Sequence, residues 1–335
     1  MFAAFLPVLP ALAQTELAYP SEPIHLIIPS EEAGSIEIVA RSLHLKFGEA
    51  FGQTLLADRK LDAETDSGSA FVAKAKPDGY TLLLGSTPNA VNASLHKKMP
   101  YDLFKDFAPV ILVGTTGYVL VVNPSSHVHS VGELIALAKS KPDKLTYASD
   151  GVGSFSQMCA ELFKSLTGTK IVHVPYKGPG PAMIDVVAGR VTMYFGSLPR
   201  VLPFIRNSQL RALAVTSPKR PDLAPDLQTL VEAGVPGYDL VGWYGVLAPA
   251  GTPKEIVSTL NSEIDRVINL PDFKAKPLLV SQGIDVVGGS PEAFGEFLRN
   301  TVDGYRKIVK HAGMIPVPSP PAHSSGVAKR ARASP

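Results

Sequence analysis

The segment from Ile171 to Leu198 constrains the fold more than any other stretch of this chain. A run rich in β-branched residues stops at a Pro-Tyr-Lys-Gly turn, and Pro181 opens a segment whose apolar residues recur at helical spacing. Gly189 ends that helix, and Val191–Phe195 is typical of a buried strand. Such a strand–turn–helix–strand unit belongs to a largely parallel sheet. Sheets of this kind bind ligands at the carboxyl ends of their strands, where Tyr176 lies.

Strands and helices alternate along most of the chain, which predicts an α/β fold. The apolar run 110–122 is long enough to cross from one domain to another. The expected strands are 24–29, 54–57, 80–84, 145–148, 171–174, 191–195, 210–215 and 241–247, and the expected helices are 36–47, 69–76, 131–138, 154–166, 181–188, 256–268 and 291–309.

Composition limits the class of protein. With 335 residues the chain is long enough for two domains, and an apolar share of 45% with a charged share of 19% excludes a mainly disordered protein. The formal net charge is +2, and the last 21 residues supply three positive charges and no acid, so the remainder carries −1. No nucleic-acid-binding face is expected from this distribution. The one cysteine, Cys159, rules out an internal disulfide and is expected in the core.

The two ends of the chain differ from its middle. Residues 2–13 are apolar and end in Ala-Leu-Ala before Gln14, which is typical of a signal-peptide cleavage site, although no Lys or Arg precedes them. We therefore predict a truncated signal peptide over 1–13, a soluble mature product and a location in the periplasm. The tail 315–335, rich in proline and basic towards its end, is expected to be disordered.

A set of motifs stands in one order between residues 19 and 314. They are the segment 19–29, PDGYTLLLGS from Pro77, KMPYDLFKDFAPVI from Lys98, IVHVPYKG from Ile171, LRALAVTS from Leu210, EAGVPGY from Glu232 and WYGVLAPAGTP from Trp243. Together they resemble the extracytoplasmic solute-binding proteins of tripartite tricarboxylate transporters, often called Bug proteins. No single motif is decisive, but the ordered set is specific.

The resemblance implies a two-lobed periplasmic binding protein fold of the type II kind. In that fold a ligand cleft lies between two mostly parallel sheets flanked by helices. Lobe one would comprise 22–122 plus 245–314 and lobe two 123–244, with the chain crossing near Val121 and Trp243. A few residues at the ends of elements would act as the hinge. Trp243 is expected either to form a wall of the cleft or to pack at the hinge.

The resemblance also implies a ligand site, whose best match is the Ser/Gly-rich loop 147–157 of lobe two. Glycines there would let the backbone turn N–H groups toward a ligand, and the serines either donate to the ligand or only cap the helix. Asp150 departs from the family pattern and would hinder an anion unless it points away. The residues expected to bind ligand are Gly34, Ser35, Ser86, Thr87, Ser149, Asp150, Gly153, Ser154, Ser156, Tyr176, Gly196 and Ser197.

Lobe one departs further from the family pattern. In its first loop Glu31 and Glu32 stand where prolines are usual, and its second loop, 58–69, carries Asp62, Glu64 and Asp66. If these acids face the cleft they oppose an ordinary dicarboxylate, because a like charge at about 4 Å costs on the order of 4 kcal/mol at an effective dielectric near 20. If they face solvent they do not.

Metal and catalytic sites are not expected. The acidic triplet at 62–66 imitates the start of a calcium loop, but Ser67 and Ala73 occupy positions that require Gly and Glu. The pair His127 and His129 has no further ligand at suitable spacing. Motifs for a nucleophile elbow, a zinc protease or a P-loop are absent, so no cofactor is assigned and an enzyme is not expected.

The function implied is capture of a small organic acid for a membrane transporter. An amide or zwitterion, such as a nicotinamide-like or amino-acid-like ligand, remains open because of the altered first lobe. So does a role as the ligand-presenting partner of a two-component sensor. The expected partners are the ligand and, transiently, the membrane subunits of the transporter. The receptor itself is expected to be a monomer.

Overall fold

The computed structural model describes residues 19–29, 35–60, 66–96, 98–270 and 275–314, and these contain eleven strands and ten α-helices. The strands are β1 (Ile24–Ile28), β2 (Leu55–Arg59), β3 (Thr81–Ser86), β4 (Phe107–Thr116), β5 (Tyr118–Val122), β6 (Thr146–Ser149), β7 (Val172–Pro175), β8 (Met193–Ser197), β9 (Arg211–Val215), β10 (Gly242–Pro249) and β11 (Ile284–Val286). The helices are α1 (Ser35–Phe51), α2 (Asp66–Ala73), α3 (Thr87–Leu95), α4 (Val131–Ser140), α5 (Phe155–Thr167), α6 (Pro179–Val187), α7 (Leu198–Arg206), α8 (Lys254–Asn269), α9 (Ala275–Ser281) and α10 (Pro291–His311). The predicted signal peptide and tail lie outside the described residues.

The strands form two mixed sheets. The first has the order β11-β4-β10-β3-β1-β2, and the second has the order β7-β6-β8-β5-β9. In the first sheet β10 and β11 run against the other four strands, and in the second β5 runs against the other four. Most strands of each sheet therefore share one direction, as expected, and helices follow their carboxyl ends.

The unit predicted from residues 171–198 is confirmed. Strands β7 and β8 both pair in parallel with β6, so that Ala148 lies opposite Val174 on one side and opposite Tyr194 on the other. Helix α6 connects the two outer strands. The chain therefore passes over β6, and the loops at the carboxyl ends of β6 and β7 lie next to each other.

The apolar run 110–122 is two strands rather than one, and each belongs to a different sheet. Gly117 separates β4 from β5, and a Cβ atom there would lie 2.6 Å from Val215 Cγ2. The chain returns at Gly242, which pairs with Thr116. A Cβ atom on Gly242 would lie 2.8 Å from Thr116 Cγ2. The two crossings are thus side by side, with no room for a side chain at either glycine, and the sheets divide at Gly117 and Gly242.

One hydrophobic core continues from the first sheet to the second. Helices α3 and α10 cover a face of the first sheet, α5 covers a face of the second, and α10 packs against α5. The rings of Phe155 and Tyr305 meet there with their centroids 6.0 Å apart. Separate clusters fill the opposite faces of the two sheets, beneath α1 and α8 in the first and beneath α6 and α7 in the second.

We expect Gly117→Ala to lower the free energy of unfolding by about 1–3 kcal/mol, because the added methyl group overlaps the Val215 side chain. Gly180→Ala is the matched control, since Gly180 lies in α6 with no atom near the position of a Cβ. Urea denaturation of both variants measures the difference. Equal unfolding free energies would contradict the tight crossing.

Candidate ligand-binding site

The expected site residues lie where helices begin at the carboxyl ends of strands. Helix α3 follows β3 without a loop, and α7 follows β8 in the same way, so Ser86 and Ser197 are the N-cap residues of these helices. Helix α5 follows β6 after a short loop capped by Ser154. Helix N-termini favour negatively charged groups. The edges of both sheets therefore have the electrostatic character that a carboxylate needs.

In the first sheet, Ser86 and Thr87 are buried and hold α3 in place. The Ser86 N–H group donates to Asn89 Oδ1 at 2.9 Å. Thr87 Oγ1 accepts a hydrogen bond from the backbone N–H of Trp243 at 2.8 Å, which ties α3 to β10 beside the return crossing. The Thr87 side chain is thus a structural link at the junction of the two sheets.

Ser35 begins α1, and its side chain forms a hydrogen bond with the hydroxyl group of Tyr244. Burial raises the pKa of Tyr244, and the bond to Ser35 partly offsets this effect. The hydroxyl groups of Ser35 and Tyr244 therefore lie at the N-terminus of α1, which packs on the first sheet. Gly34, Glu31 and Glu32 lie outside the described residues, as do Asp62 and Glu64.

Residues 150–154 form the loop between β6 and α5, named here the glycine loop. The N–H groups of Asp150, Gly151 and Gly153 bond to neighbouring side chains of the same half of the molecule. The N–H of Gly153 donates to Gln157 Oε1 at 2.7 Å, and that of Gly151 donates to Ser149 Oγ at 3.3 Å. Both glycines have positive φ angles, +143° and +81° for Gly151 and Gly153. The glycines therefore shape the loop. Their N–H groups bond within the same half of the molecule, whereas they were expected to face a ligand.

Two serines at the start of α5 stabilise the glycine loop. Ser154 caps α5, accepting from the N–H of Gln157 at 3.4 Å and donating to the Gly151 carbonyl at 2.7 Å. Ser156 is fully buried, and its hydroxyl oxygen accepts from the Asp150 N–H at 2.9 Å. The capping role anticipated for Ser154 is therefore present, and Ser156 fixes the backbone of Asp150.

Asp150 is oriented by a tyrosine. Its Oδ1 atom accepts from the hydroxyl of Tyr194, on the neighbouring strand β8, at 2.5 Å. Burial, then the Asp150 carboxylate, raises the pKa of Tyr194 well above its usual value. The same carboxylate acts on Tyr118, whose pKa is raised by burial, by Asp150 and by the Tyr244 hydroxyl and lowered by Arg200. Asp150 is thus a negative charge among hydroxyl groups near both sheets.

Tyr118, Tyr194 and Tyr244, called here the tyrosine cluster, were not anticipated. Tyr118 belongs to the second sheet and Tyr244 to the first, and their hydroxyl groups are close enough to interact electrostatically. The Tyr118 ring packs edge-to-face on Phe155, the first residue of α5, with centroids 4.7 Å apart. Both Tyr118 and Tyr244 follow crossing glycines closely in sequence, and that position is the only signal the sequence offered.

Tyr176 directs its hydroxyl toward its own half of the molecule. The group donates to Asp185 Oδ2 at 2.5 Å, and Arg190 pairs with the same carboxylate. Arg190 and Tyr176 hold the pKa of Asp185 below its usual value, while burial and Asp185 raise the pKa of Tyr176 to about 12. Because the hydroxyl group is already bonded to Asp185, Tyr176 offers a ligand site its partly buried ring as an apolar wall.

Gly196 serves close packing. A Cβ atom there would overlap Val201 Cγ1 and lie 2.7 Å from Tyr194 Cε1, so glycine lets α7 and the Tyr194 ring approach β8. The next residue, Ser197, is partly buried at the N-terminus of α7.

Trp243 packs at the junction instead of lining the cleft. Its side chain is fully buried and meets Phe294 edge-to-face, with centroids 5.7 Å apart. Its indole N–H has no hydrogen-bond partner within the part of the chain that the structure describes.

No group of three His, Cys, Asp or Glu side chains in the described ranges is arranged to hold a metal ion. The described helices also include none that is long and apolar enough to cross a membrane. His127 and His129 are both exposed, in the loop before α4.

Two α/β halves joined by two adjacent strand crossings, with hydroxyl groups and helix N-termini from both halves near one another, define a two-lobed binding protein for small molecules. A family model described as the tripartite tricarboxylate transporter family receptor matches residues 39–314. The chain belongs to this family. The resemblance seen in the ordered motifs is confirmed, and the family is one of substrate-binding receptors and not of enzymes.

Two relatives cover most of the chain. The UPF0065 protein in the tcbD-tcbE intergenic region of Pseudomonas sp. strain P51 is 36% identical over 298 residues, 89% of this chain and 88% of that protein. Protein BugT of Bordetella pertussis is 34% identical over 297 residues, 88% of this chain and 90% of that one.

Three solved structures share the fold. Rpa4515 of R. palustris with adipate has a TM-score of 0.75 and 34% identity, covering 89% of this chain and 100% of that one. The periplasmic binding protein BugD has a TM-score of 0.71 and 30% identity, covering 89% and 99%. MatC of Rhodopseudomonas palustris with bound malate has a TM-score of 0.70 and 27% identity, covering 87% and 100%.

The two serines at the start of α5 allow a test of the glycine loop. Ser154→Ala removes a helix cap and is expected to lower the free energy of unfolding by about 1 kcal/mol. Ser156→Ala leaves the Asp150 N–H without its acceptor, and we expect a loss of about 1–3 kcal/mol. Chemical denaturation measures both, and Ser140→Ala, at the exposed end of α4, provides the baseline. Losses no larger than that baseline would show that neither serine stabilises the loop.

Proposed function

We propose that this protein is an extracytoplasmic receptor that encloses a small carboxylate between its two halves and delivers it to the membrane subunits of a tripartite transporter. The observation that carries the proposal is that Tyr118 of the second sheet and Tyr244 of the first follow the paired residues Thr116 and Gly242, and that the Tyr244 hydroxyl acts on the pKa of Tyr118. Ser35 and the N-termini of α1 and α5 lie beside them.

The chemistry of these groups suits a carboxylate. Hydroxyl groups donate hydrogen bonds to carboxylate oxygens, and each helix N-terminus stabilises a nearby negative charge by about 0.3–1 kcal/mol. Because the donors come from both halves, a ligand contacts all of them only when the halves are close, so binding shifts the population toward the closed form. The adipate and malate bound by the neighbouring structures support this class of ligand.

Asp150 favours a second class of ligand, one that carries an amide or amine beside its carboxylate. Its charge lies near Tyr118 and Tyr194, where it would oppose a second anionic group and attract a hydrogen-bond donor. A nicotinamide-like or amino-acid-like molecule meets this requirement. Tyr118 and Tyr244 would then bind the carboxylate end and Asp150 the donor end.

The proposal extends to the location and the limits of the lobes. Export to the periplasm is supported by the Ala-Leu-Ala sequence before Gln14 and by the description of BugD as a periplasmic binding protein. The lobes would comprise 22–122 plus 245–314 and 123–244, and the division of the strands into two sheets supports limits near these residues.

Trp243 offers a direct readout of ligand-driven closure, because it is the only tryptophan of the chain and lies beside the return crossing. We expect its fluorescence to change on titration with a matching ligand from a panel of dicarboxylates, monocarboxylates, amino acids and carboxamides. At a concentration of 100 times the dissociation constant the ligand should stabilise the protein by about 2.7 kcal/mol, which thermal unfolding detects. If no ligand of the panel changed either the Trp243 fluorescence or the thermal unfolding temperature, the proposal would be contradicted.

Asp150→Asn separates the two ligand classes. Asparagine keeps an acceptor for Tyr194 and removes the charge, so we expect dicarboxylates to bind about tenfold or more tightly and amine-bearing ligands to bind more weakly. Calorimetric titration gives the affinities. Asp185→Asn is the matched control, since Asp185 also accepts from a tyrosine hydroxyl, that of Tyr176, and its carboxylate pairs with Arg190. Unchanged dicarboxylate affinity in Asp150→Asn would show that the charge does not reach the ligand.

A further inference from the structure

His173 lies on β7 behind the glycine loop and contacts the residues that hold it. Its Nε2 atom is 2.6 Å from Ser149 Oγ, and its Nδ1 atom is 3.3 Å from the Gln157 Nε2 amide nitrogen. The ring is half-buried and stacks on Tyr147, with centroids 4.7 Å apart and planes 13° apart. The two ring nitrogens of His173 therefore face Ser149 and Gln157, whose side chains also accept hydrogen bonds from N–H groups of the glycine loop.

These contacts fix where the imidazole carries its proton. The Gly153 N–H can only donate, so the Gln157 oxygen faces Gly153 and the Gln157 amino group faces His173. Nδ1 must then accept, and in the neutral ring Nε2 carries the proton and donates to Ser149 Oγ. That arrangement leaves the Ser149 hydroxyl free to donate to the Gly151 carbonyl at 3.0 Å.

A second proton on His173 is incompatible with this arrangement. It would put an N–H on Nδ1 directly against the amino group of Gln157, so that two donors face each other. Rotating the Gln157 amide would relieve the conflict, but it would replace the acceptor of the Gly153 N–H with a donor. Protonation of His173 therefore opposes the observed conformation of the glycine loop.

Burial of the ring, more than the charges around it, holds the pKa of His173 below its usual value. Burial lowers its pKa, Glu161 raises it and Lys164 lowers it, and the net direction is downward. Glu161 is already bonded to the Tyr147 hydroxyl at 2.5 Å and to Lys164 Nζ at 2.8 Å. The groups that face His173 thus come from β6 (Tyr147 and Ser149) and α5 (Gln157, Glu161 and Lys164).

The sign of the pH effect follows from this direction. An unfolded histidine titrates near pH 6.5, and the folded one takes up its proton at lower pH. The stabilisation that neutral His173 provides is therefore complete above about pH 6.5 and is lost as the pH falls through the folded value.

We propose that His173 is a positioning residue that makes the conformation of the glycine loop, and through it the ligand affinity, depend on protonation. Neutral His173 holds Gln157, and Gln157 holds Gly153. Acidification loosens the loop and weakens binding. The effect on affinity rests on the proposed function, whereas the effect on the loop does not.

The loop can be tested without any ligand. We expect NMR spectra of the whole chain to show the Gly153 amide losing protection from hydrogen exchange, relative to the intrinsic rate, as the pH is lowered from 8 to 5. The change should follow the titration of the His173 ring. His173→Gln should abolish this pH dependence, and His25→Gln, which changes an exposed histidine of the first sheet, should preserve it.

Gln157→Glu provides the rescue. A glutamate can accept from the Gly153 N–H with one oxygen and from a protonated Nδ1 with the other. We expect His173 to titrate at higher pH in this variant and the Gly153 amide to keep its protection under acidic conditions. Wild-type protection that is constant from pH 8 to 5 overturns the proposal, and so does the same loss in Gln157→Glu.

Affinity provides the second measurement, with adipate as the probe and His173→Gln correcting for titration of the probe itself. Wild-type affinity should fall by up to about tenfold for each pH unit below the midpoint of His173, relative to His173→Gln. Equal pH profiles in the two proteins would overturn the link to binding. Absence of adipate binding at any pH would count against the proposed ligand class, while the exchange experiment would still decide the role of His173.

Discussion

The relative placement of the two halves depends on the pairing of β4 with β10. Strand β4 ends at Thr116 just before the first connection between the halves, and β10 begins at Gly242 just after the second. Because Gly242 lies opposite Thr116, the two connections run side by side. Neither glycine leaves space for a side chain, and Thr87 bonds to the backbone of Trp243 at the same place. One connection is the single residue Gly117 between β4 and β5, and the other enters β10 directly beside it, so a hinge between the halves is expected at this place.

The site is built from groups that already have partners. Glycine-loop N–H groups bond to Ser149 and Gln157, Asp150 accepts from Tyr194, and the Ser35 side chain bonds to Tyr244. Satisfied networks of this kind hold their side chains in fixed orientations. A ligand bound among these groups would have to add to their contacts or exchange with them, so its chemistry would have to match their geometry. Such a requirement would give selectivity between molecules of similar size and different end groups.

The sequence was sufficient for the parts of the fold that depend on local pattern. Alternating apolar periods located most strands and helices, and the run 110–122 indicated a crossing. Helix α7 was missed because Pro199 and Pro203 disrupt its pattern, although its apolar face packs on β8. The tyrosine cluster was missed for another reason: Tyr118 and Tyr244 are more than a hundred residues apart, and the pairing of β4 with β10 brings them together. Contacts of that kind leave no periodic signal in the sequence.

The glycine loop of the second half also contacts the first half. A Cβ atom on Gly153 would lie 2.9 Å from Leu95 Cδ1, so the loop of the second sheet touches helix α3 of the first. The N–H of Gly153 also donates to the Gln157 oxygen, and His173 contacts the amino group of the same side chain. Loop conformation and the approach of the halves are therefore not independent. A change that loosens the loop also alters the surface on which α3 rests, and ligand affinity and closure are expected to respond together.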